Sequence, residues 1–528
     1  MNWDNWKAHP DDRRFIDKIL NRAPQPFWKH IQKFYNNAMI KKGRYHANIK
    51  MLELEDLLKS VNIRLTSDDQ EIRDRASKEA QACGKIIAKT NNENKAILRL
   101  ERLTQKIGIP TPQAKTTKGI LARYSCEKWW RRKLRILYGQ TVEKIALKLN
   151  IVNKRGDIYI SESSVKRRRS QKRRNSILLD ELEAINEVGD SFTLLELAEK
   201  SVSNPKLRRA ELMTRIAGNE KIAEELGDKG EFYTLTCPSR MHASHSKSCK
   251  PNPKYDGTTP KEAQSYLVNV WAKIRTALDH KNIPIYGIRV TEPHHDGTPH
   301  WHFLLFVNPK DKDELRNIFK KYALQVDGNE KGAKEHRFKI VEVDKAIGTA
   351  TGYIAKYISK NIDGYGIDAD LYGRDAKSSA ERIEAYSSTW GLRQFQFFGN
   401  PPVSVWRELR RLKESDNEVI DKAIKAADDG NWAEFIRIMG GPCASKKIIP
   451  ISIMRMWSDQ PNSYDEPIGY RIIGVELGKQ NEVSRIHVWE IQRKPKEQEA
   501  FCGEVLSPPW SSVNNCTFNQ NTVHNHYP

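Results

Sequence analysis

Apolar residues recur at helical spacing through the first part of the chain, in Met51–Val61 and Asp69–Lys89, with charged residues between them. That pattern predicts amphipathic helices. From about Glu231 the period changes. Phe232-Tyr233-Thr234-Leu235-Thr236 reads as a strand, and Lys261–His280 as a helix with Tyr266, Val268, Val270, Ile274 and Leu278 among its apolar positions. Pro284–Val290 and His300–Val307 read as two more strands, with Asp296-Gly297 as a turn signal between them. Asp313–Leu324 then predicts helix, Arg337–Val343 strand and Gly348–Ile362 helix. Beyond Pro401 the pattern gives helices at Val403–Lys413 and Asp416–Met439, then strand-like pieces near Tyr470–Leu477 and Arg485–Ile491.

The central order β-α-β-β-α-β-α is that of a ferredoxin-like, split βαβ antiparallel sheet. The expected fold class is therefore α+β. A helical region at 1–228 carries basic segments, a sheet domain spans 229–400, and a smaller mixed region covers 401–500. A tail at 501–528, rich in Asn, Ser and Pro, is expected to be disordered. A length of 528 residues exceeds one ordinary core and agrees with several domains.

Charge narrows the partners. Lys and Arg number 89 against 67 acidic residues, a net +22, which favours a polyanion such as nucleic acid. The excess gathers in Trp129–Arg135 and Val165–Arg174. Each is either a solvated helix face or a surface that tracks phosphates. Thr141–Asn150 followed by Ser161–Arg174 hints at a helix-turn-helix, although the gap is longer than the usual turn. No apolar run approaches a membrane span, and Met1–Lys7 lacks the apolar core of a signal peptide. Seven scattered cysteines form no disulfide framework, so a soluble protein of a reducing cytoplasm is expected, with no membrane partner. No G-x-x-x-x-G-K-[ST] loop occurs, so neither a nucleotide cofactor nor an ATPase module is expected.

Candidate chemistry begins at His300-Trp301-His302. Residues two apart on a strand share a face, so the two imidazoles project together, roughly 7 Å apart at the backbone, and can converge on one ion. If the turn centres on Asp296, Glu292 lies across from His300 and completes a two-histidine, one-carboxylate metal site. A slip of one residue turns Glu292 away and leaves His294 as the alternative ligand. Cys237, His242, His245 and Cys249 are zinc-ligand types, but not at the spacing of a common finger.

The second constellation lies in Gly348–Lys360. Tyr353 and Tyr357 are i and i+4 on a helix and share a face. Tyr-Ile-x-Lys occurs twice, so Lys356 and Lys360 each stand one turn from a tyrosine, placed to hold a phosphate. A phenol with an ordinary pKa near 10 is mostly protonated at neutral pH. Nearby cations can activate it, and a divalent ion can polarise a scissile phosphate. Two tyrosines suit two successive transesterifications.

His300-Trp301-His302, the Tyr353 and Tyr357 pair, and the strand Phe232–Thr236 resemble motifs of the bacteriophage replication gene A protein family, within the HUH endonuclease superfamily of rolling-circle initiators. Pro293–His302, Ser388–Phe395, Trp129–Leu134 and Trp406–Leu412 extend the resemblance, which covers roughly Trp129 to Lys446. It implies a metal-dependent endonuclease that nicks a single-stranded or supercoiled origin. One tyrosine would keep the 5′ phosphate, and the second would cut after one circuit. The freed 3′-hydroxyl would prime a host DNA polymerase, with a host helicase as a further partner. Mg²⁺ or Mn²⁺ is the implied cofactor, histidine ligands favouring Mn²⁺ somewhat. A plasmid mobilisation relaxase and a non-catalytic DNA-binding protein are the alternatives. The metal cluster and tyrosine pair argue against a mere binder.

Overall fold

A computed structural model describes residues 3–59, 65, 68–343, 349–366, 368–369 and 373–495. The fold is mixed α+β, with a central five-stranded antiparallel sheet and two smaller three-stranded sheets. The central strands are β1 (Lys229–Thr236), β2 (Tyr286–Pro293), β3 (Pro299–Val307), β4 (Phe338–Glu342) and β5 (Phe395–Phe398). Their spatial order is β4-β1-β3-β2-β5. Four of them were expected; β5, only four residues long, was not.

Every residue of β2 and β3 is buried, so both faces of the sheet are covered. Tyr233, Leu235, Trp301, Phe303 and Leu305 pack on one face with α1 (Pro260–Lys281) and α2 (Lys312–Ala323). The alternate residues Phe232, Ile288, Val290, Leu304 and Phe306 face the other way, against Ile354 and Ile358 of α3 (Ala350–Ile362). The two-residue period of the strands therefore puts His300, His302 and Glu292 on the side covered by α3 rather than by the crossover helices. The same core takes in Ile216 of the helix Pro205–Leu226 and Trp406, Trp432 and Phe435 beyond the sheet.

Pairing between β2 and β3 sets Glu292 opposite His300, the register that a turn centred on Asp296 requires. Gly297 turns with φ +80°, and a Cβ there would lie 3.0 Å from the Tyr159 carbonyl oxygen, so the position favours glycine.

The N-terminal region is helical. Asp69–Ala88 opens with a capping box between Asp68 and Glu71. The basic segments lie in the helices Glu127–Lys148 and Glu162–Glu181. Residues 149–161 separate them and bury Ile151, Val152, Ile158, Tyr159 and Ile160, so this is not the short turn of a helix-turn-helix. The helix α4 (Ala376–Trp390) gives Ala385, Tyr386 and Trp390 to the core of the first helices.

The expected Asp416–Met439 helix is two, Glu418–Asp428 and Trp432–Ile438, broken where Gly430 takes φ +69°. A long hairpin follows, Ser452–Pro461 with Pro467–Leu477, edged by Gln480–Val483. The expected strand near Arg485–Ile491 begins later, as Trp489–Arg493, and pairs with Leu182–Asn186. The tail 501–528 lies outside the described residues. Among the described residues no helix is long and apolar enough to cross a membrane.

Candidate active site

Glu292, His300 and His302 are all buried, and their ligand-type atoms lie within 4.8 Å of one another. His300 Nε2 and His302 Nε2 are 2.9 Å apart. Glu292 Oε2 is 3.7 Å from the former and 3.3 Å from the latter. Burial, with His294 and His302 beside it, holds the His300 imidazole well below its ordinary pKa, so it stays neutral. Two ring nitrogens this close need a proton or a cation between them, and two imidazoles with one carboxylate form a donor set for a divalent metal. His300 Nδ1 has no hydrogen-bond partner, which leaves that tautomer unfixed by the protein.

Side chains around the cluster fix its orientation. Thr234 on β1 stands opposite His302, and its Oγ1 lies 3.0 Å from His302 Nδ1. Burial alone would raise the Glu292 carboxyl, but the Lys360 ammonium, His302 and the Asn361 amide outweigh it and hold it at about 2. Lys360 Nζ is 3.4 Å from Glu292 Oε2, and Asn361 Nδ2 donates to Oε1 at 2.8 Å. Lys360 is thus turned inward and buried, while Lys356 is exposed.

Tyr353 and Tyr357 share the face of α3 that meets the sheet. The Tyr357 ring lies 4.2 Å, centroid to centroid, from His302. Phe232 touches both tyrosines, at 4.7 Å from Tyr353 and 5.1 Å from Tyr357. Tyr353 is 41% exposed and Tyr357 half-buried. Burial, and then the Glu292 carboxylate, push the Tyr357 phenol's pKa up, so it is a neutral hydroxyl here.

His294 stacks on His300 at 4.0 Å instead of joining the three. Asp296 Oδ2 lies 3.2 Å from His242 Nδ1. Cys237 instead directs its thiol to the Pro299 carbonyl. Cys237, His242, His245 and Cys249 are therefore not gathered into a zinc site. Among the described residues the only cluster of metal-ligand types is Glu292, His300 and His302. Sequence reasoning missed Thr234, Phe232 as the ring between the tyrosines, and Asn361. Asn361 carried one signal, its place four residues beyond Tyr357 on the helix.

The sequence matches the family described as Bacteriophage replication gene A protein (GPA) over residues 44–365. It is 38% identical over 432 residues to the probable replication protein P12 of Pseudoalteromonas phage PM2, covering 79% of this chain and 64% of that protein. The replication gene A protein of Escherichia phage 186 is 39% identical over 408 residues, 74% of this chain and 58% of its own length. A Salmonella typhimurium protein named probable replication endonuclease from prophage-like region is 36% identical over 423 residues, 76% of this chain and 52% of its own. The matches thus span about half to two thirds of these relatives' lengths. No solved structure matches. The chain belongs to the bacteriophage replication gene A protein family.

Proposed function

We propose that this protein is a site- and strand-specific DNA endonuclease and strand transferase that initiates rolling-circle replication of a phage genome. The observation that carries the reading is the contact of Tyr357 with His302, in one cluster with His300 and Glu292. The strand order β4-β1-β3-β2, with both crossover helices on the opposite face, supports assigning the sheet to the ferredoxin-like HUH class. Relatives named replication endonuclease support the activity.

The phenolic oxygen of Tyr357 attacks the phosphorus of the scissile phosphodiester in line with the leaving O3′. The P–O3′ bond breaks, the proton lost by the phenol is passed through solvent to the leaving O3′, and the 5′ phosphate stays on the tyrosine as a phosphotyrosine ester. Lys356, exposed beside the tyrosines, holds the phosphate. Lys360 and Asn361 hold the Glu292 carboxylate, and Thr234 fixes the His302 ring. Glu292, His300 and His302 would hold Mg²⁺ or Mn²⁺, which when bound neutralises charge on the phosphate and offsets the Glu292 charge that opposes phenol ionisation. The freed 3′-hydroxyl primes a host DNA polymerase, with a host helicase opening the duplex. Tyr353, one helical turn away, is the second nucleophile that resolves a completed circle.

Trapping the protein on single-stranded origin fragments tests this. Mass spectrometry should find the nucleotide adduct on Tyr357 or Tyr353. An adduct on another residue, or one that persists in the Tyr353→Phe/Tyr357→Phe protein, refutes the reading.

A further inference from the structure

A cleft of about 1450 Å³ opens in the N-terminal half. It exceeds the roughly 300–1,000 Å³ of a small-molecule pocket. The two basic segments, separate in sequence, meet in it. Lys128, Arg131 and Arg132 come from the helix Glu127–Lys148, and Lys166 and Arg167 from the helix Glu162–Glu181. Among the described residues Asp68 and Asp69 are its only acidic lining residues. Asp69 is already engaged by Arg135 at 2.7 Å and approached by Arg174 at 3.5 Å. Arg168 pairs with Glu384. Among the described residues, no carboxylate lies within ion-pair distance of Lys128, Arg131, Arg132 or Lys166. Burial, then Arg135 and Arg73 nearby, push the Arg131 guanidinium's pKa down, against the opposing pull of Glu127 and Asp69.

The walls are not purely basic. Trp28, Tyr138 and Tyr464 line the same space. Trp28 Nε1 donates to the Leu20 carbonyl and the Tyr138 hydroxyl to that of Leu65, so both rings are held in place. Tyr464 arrives from the turn of the C-terminal hairpin and stacks on Arg123, with the guanidinium carbon 4.2 Å from the ring centroid. Cations that follow a backbone, interleaved with fixed aromatic rings, form the recognition surface of a single strand, whose bases are free to stack. A stacked duplex offers its phosphates but not its base faces.

The cleft also adjoins the catalytic layer. Ser388 and Thr389, near the C-terminal end of α4, line it, and Arg167 Nη2 donates to Thr389 Oγ1 at 3.4 Å. α4 packs along α3, the helix that carries the tyrosines.

We propose that this cleft is a second DNA site, apart from the nicking centre, that holds a single strand by its phosphodiester backbone without regard to sequence. The choice of DNA rests on the nickase reading, under which a displaced strand is present throughout replication. The cleft's cations and rings stand independently of that reading.

The test is fluorescence anisotropy of a labelled oligo(dT), which carries no origin sequence, titrated at several salt concentrations in EDTA. The protein carries Tyr353→Phe/Tyr357→Phe so that no cleavage intervenes. Adding Arg131→Gln/Arg132→Gln/Lys166→Gln should weaken binding roughly tenfold or more, and lower the slope of log affinity against log salt by about 2, at about 0.7 per lost phosphate contact. Lys128→Gln/Arg132→Gln, both exposed, should shift binding in the same direction with an unchanged thermal midpoint. Lys41→Gln/Lys42→Gln, outside the cleft, should change neither. An oligonucleotide bearing 5-iodouracil should photocross-link to peptides containing Trp28, Tyr138 or Tyr464. An unchanged salt slope, or cross-links only elsewhere, overturns the proposal. So does a duplex of equal length that binds more tightly and loses as much with the triple substitution. Failure of the unsubstituted protein to form a tyrosine adduct would overturn the nickase reading alone and leave this binding result standing.

Discussion

The rings of Tyr357 and His302 lie 4.2 Å apart, whereas Tyr353, one turn along the same helix, meets Phe232 at the open edge of the site. The two phenols are therefore not equivalent. Tyr357 stands at the His302 and Glu292 cluster, and Tyr353 stands one turn away against Phe232, more exposed. Tyr357→Phe should reduce adduct formation on a single-stranded origin oligonucleotide about a thousandfold, near 4 kcal/mol of barrier. Tyr353→Phe should retain this first cut and fail in full replication rounds. Quantifying covalent adduct beside rolling-circle product checks both. Equal first-cut loss in the two variants would show that the apparent asymmetry does not govern catalysis.

The cluster of Glu292, His300 and His302 predicts one divalent site. His300→Ala and His302→Ala should each abolish nicking while leaving oligonucleotide binding in place. Glu292→Ala should do the same, because its register puts it opposite His300. Isothermal titration with Mn²⁺ should give one site in the parent protein and none in the His300→Ala/His302→Ala variant. Near-normal cleavage by that variant in saturating Mn²⁺ would exclude a metal role for the pair.

Much of this geometry was legible in the sequence. Alternation along the strand paired His300 with His302, while Asp296-Gly297 marked a turn whose register left Glu292 and His294 as alternatives until the pairing of β2 with β3 set Glu292 opposite His300. Helical spacing put both tyrosines on one face. The supports were not legible, because they depend on contacts between distant segments. Thr234 meets His302 only through the register of β1 with β3. Lys360 read as a phosphate-holding partner of Tyr357, but the phase of α3 against the sheet buries it beside Glu292, where a buried carboxylate requires a counter-charge. The strand Trp489–Arg493 pairs with Leu182–Asn186 across most of the chain, which no local pattern reveals.

Glu292 and Lys360 also predict a pH effect. The carboxyl's ordinary value is 4.5, and in the fold it is held at about 2, against burial, by Lys360, His302 and Asn361. The unfolded chain therefore binds this proton at a higher pH than the native one. The resulting stability is fully present above about pH 4.5 and is lost as pH falls towards 2, of the order of 3 kcal/mol in all. Urea unfolding in EDTA should show a smaller stability difference between parent and Glu292→Gln at pH 3 than at pH 7. Lys360→Met, which leaves the buried carboxylate unpaired, should cost about 3–5 kcal/mol at pH 7. A difference between parent and Glu292→Gln that does not change with pH would remove the electrostatic account.

The turn of the C-terminal hairpin is tied to the N-terminal helices through Glu466. Its Oε2 accepts from Arg123 Nη2 at 2.7 Å and its Oε1 from the Lys115 backbone amide at 2.8 Å, and the side chain is buried. It fits there because residue 119 is glycine. A Cβ on Gly119 would lie 2.3 Å from Oε1 and 2.8 Å from Cγ of Glu466. The carboxylate cannot move aside without giving up both bonds, so Gly119→Ala acts on the docking rather than on the helix, where alanine is the better residue. Overpacking of this kind costs about 1–3 kcal/mol. Gly119→Ala and Glu466→Ala should both speed limited proteolysis within residues 446–480 and lower the thermal midpoint. Gly119→Ala in the Glu466→Ala background should add little further, since the clash has been removed. Additive losses in the double variant would show that residue 119 acts on the helix itself and not through Glu466.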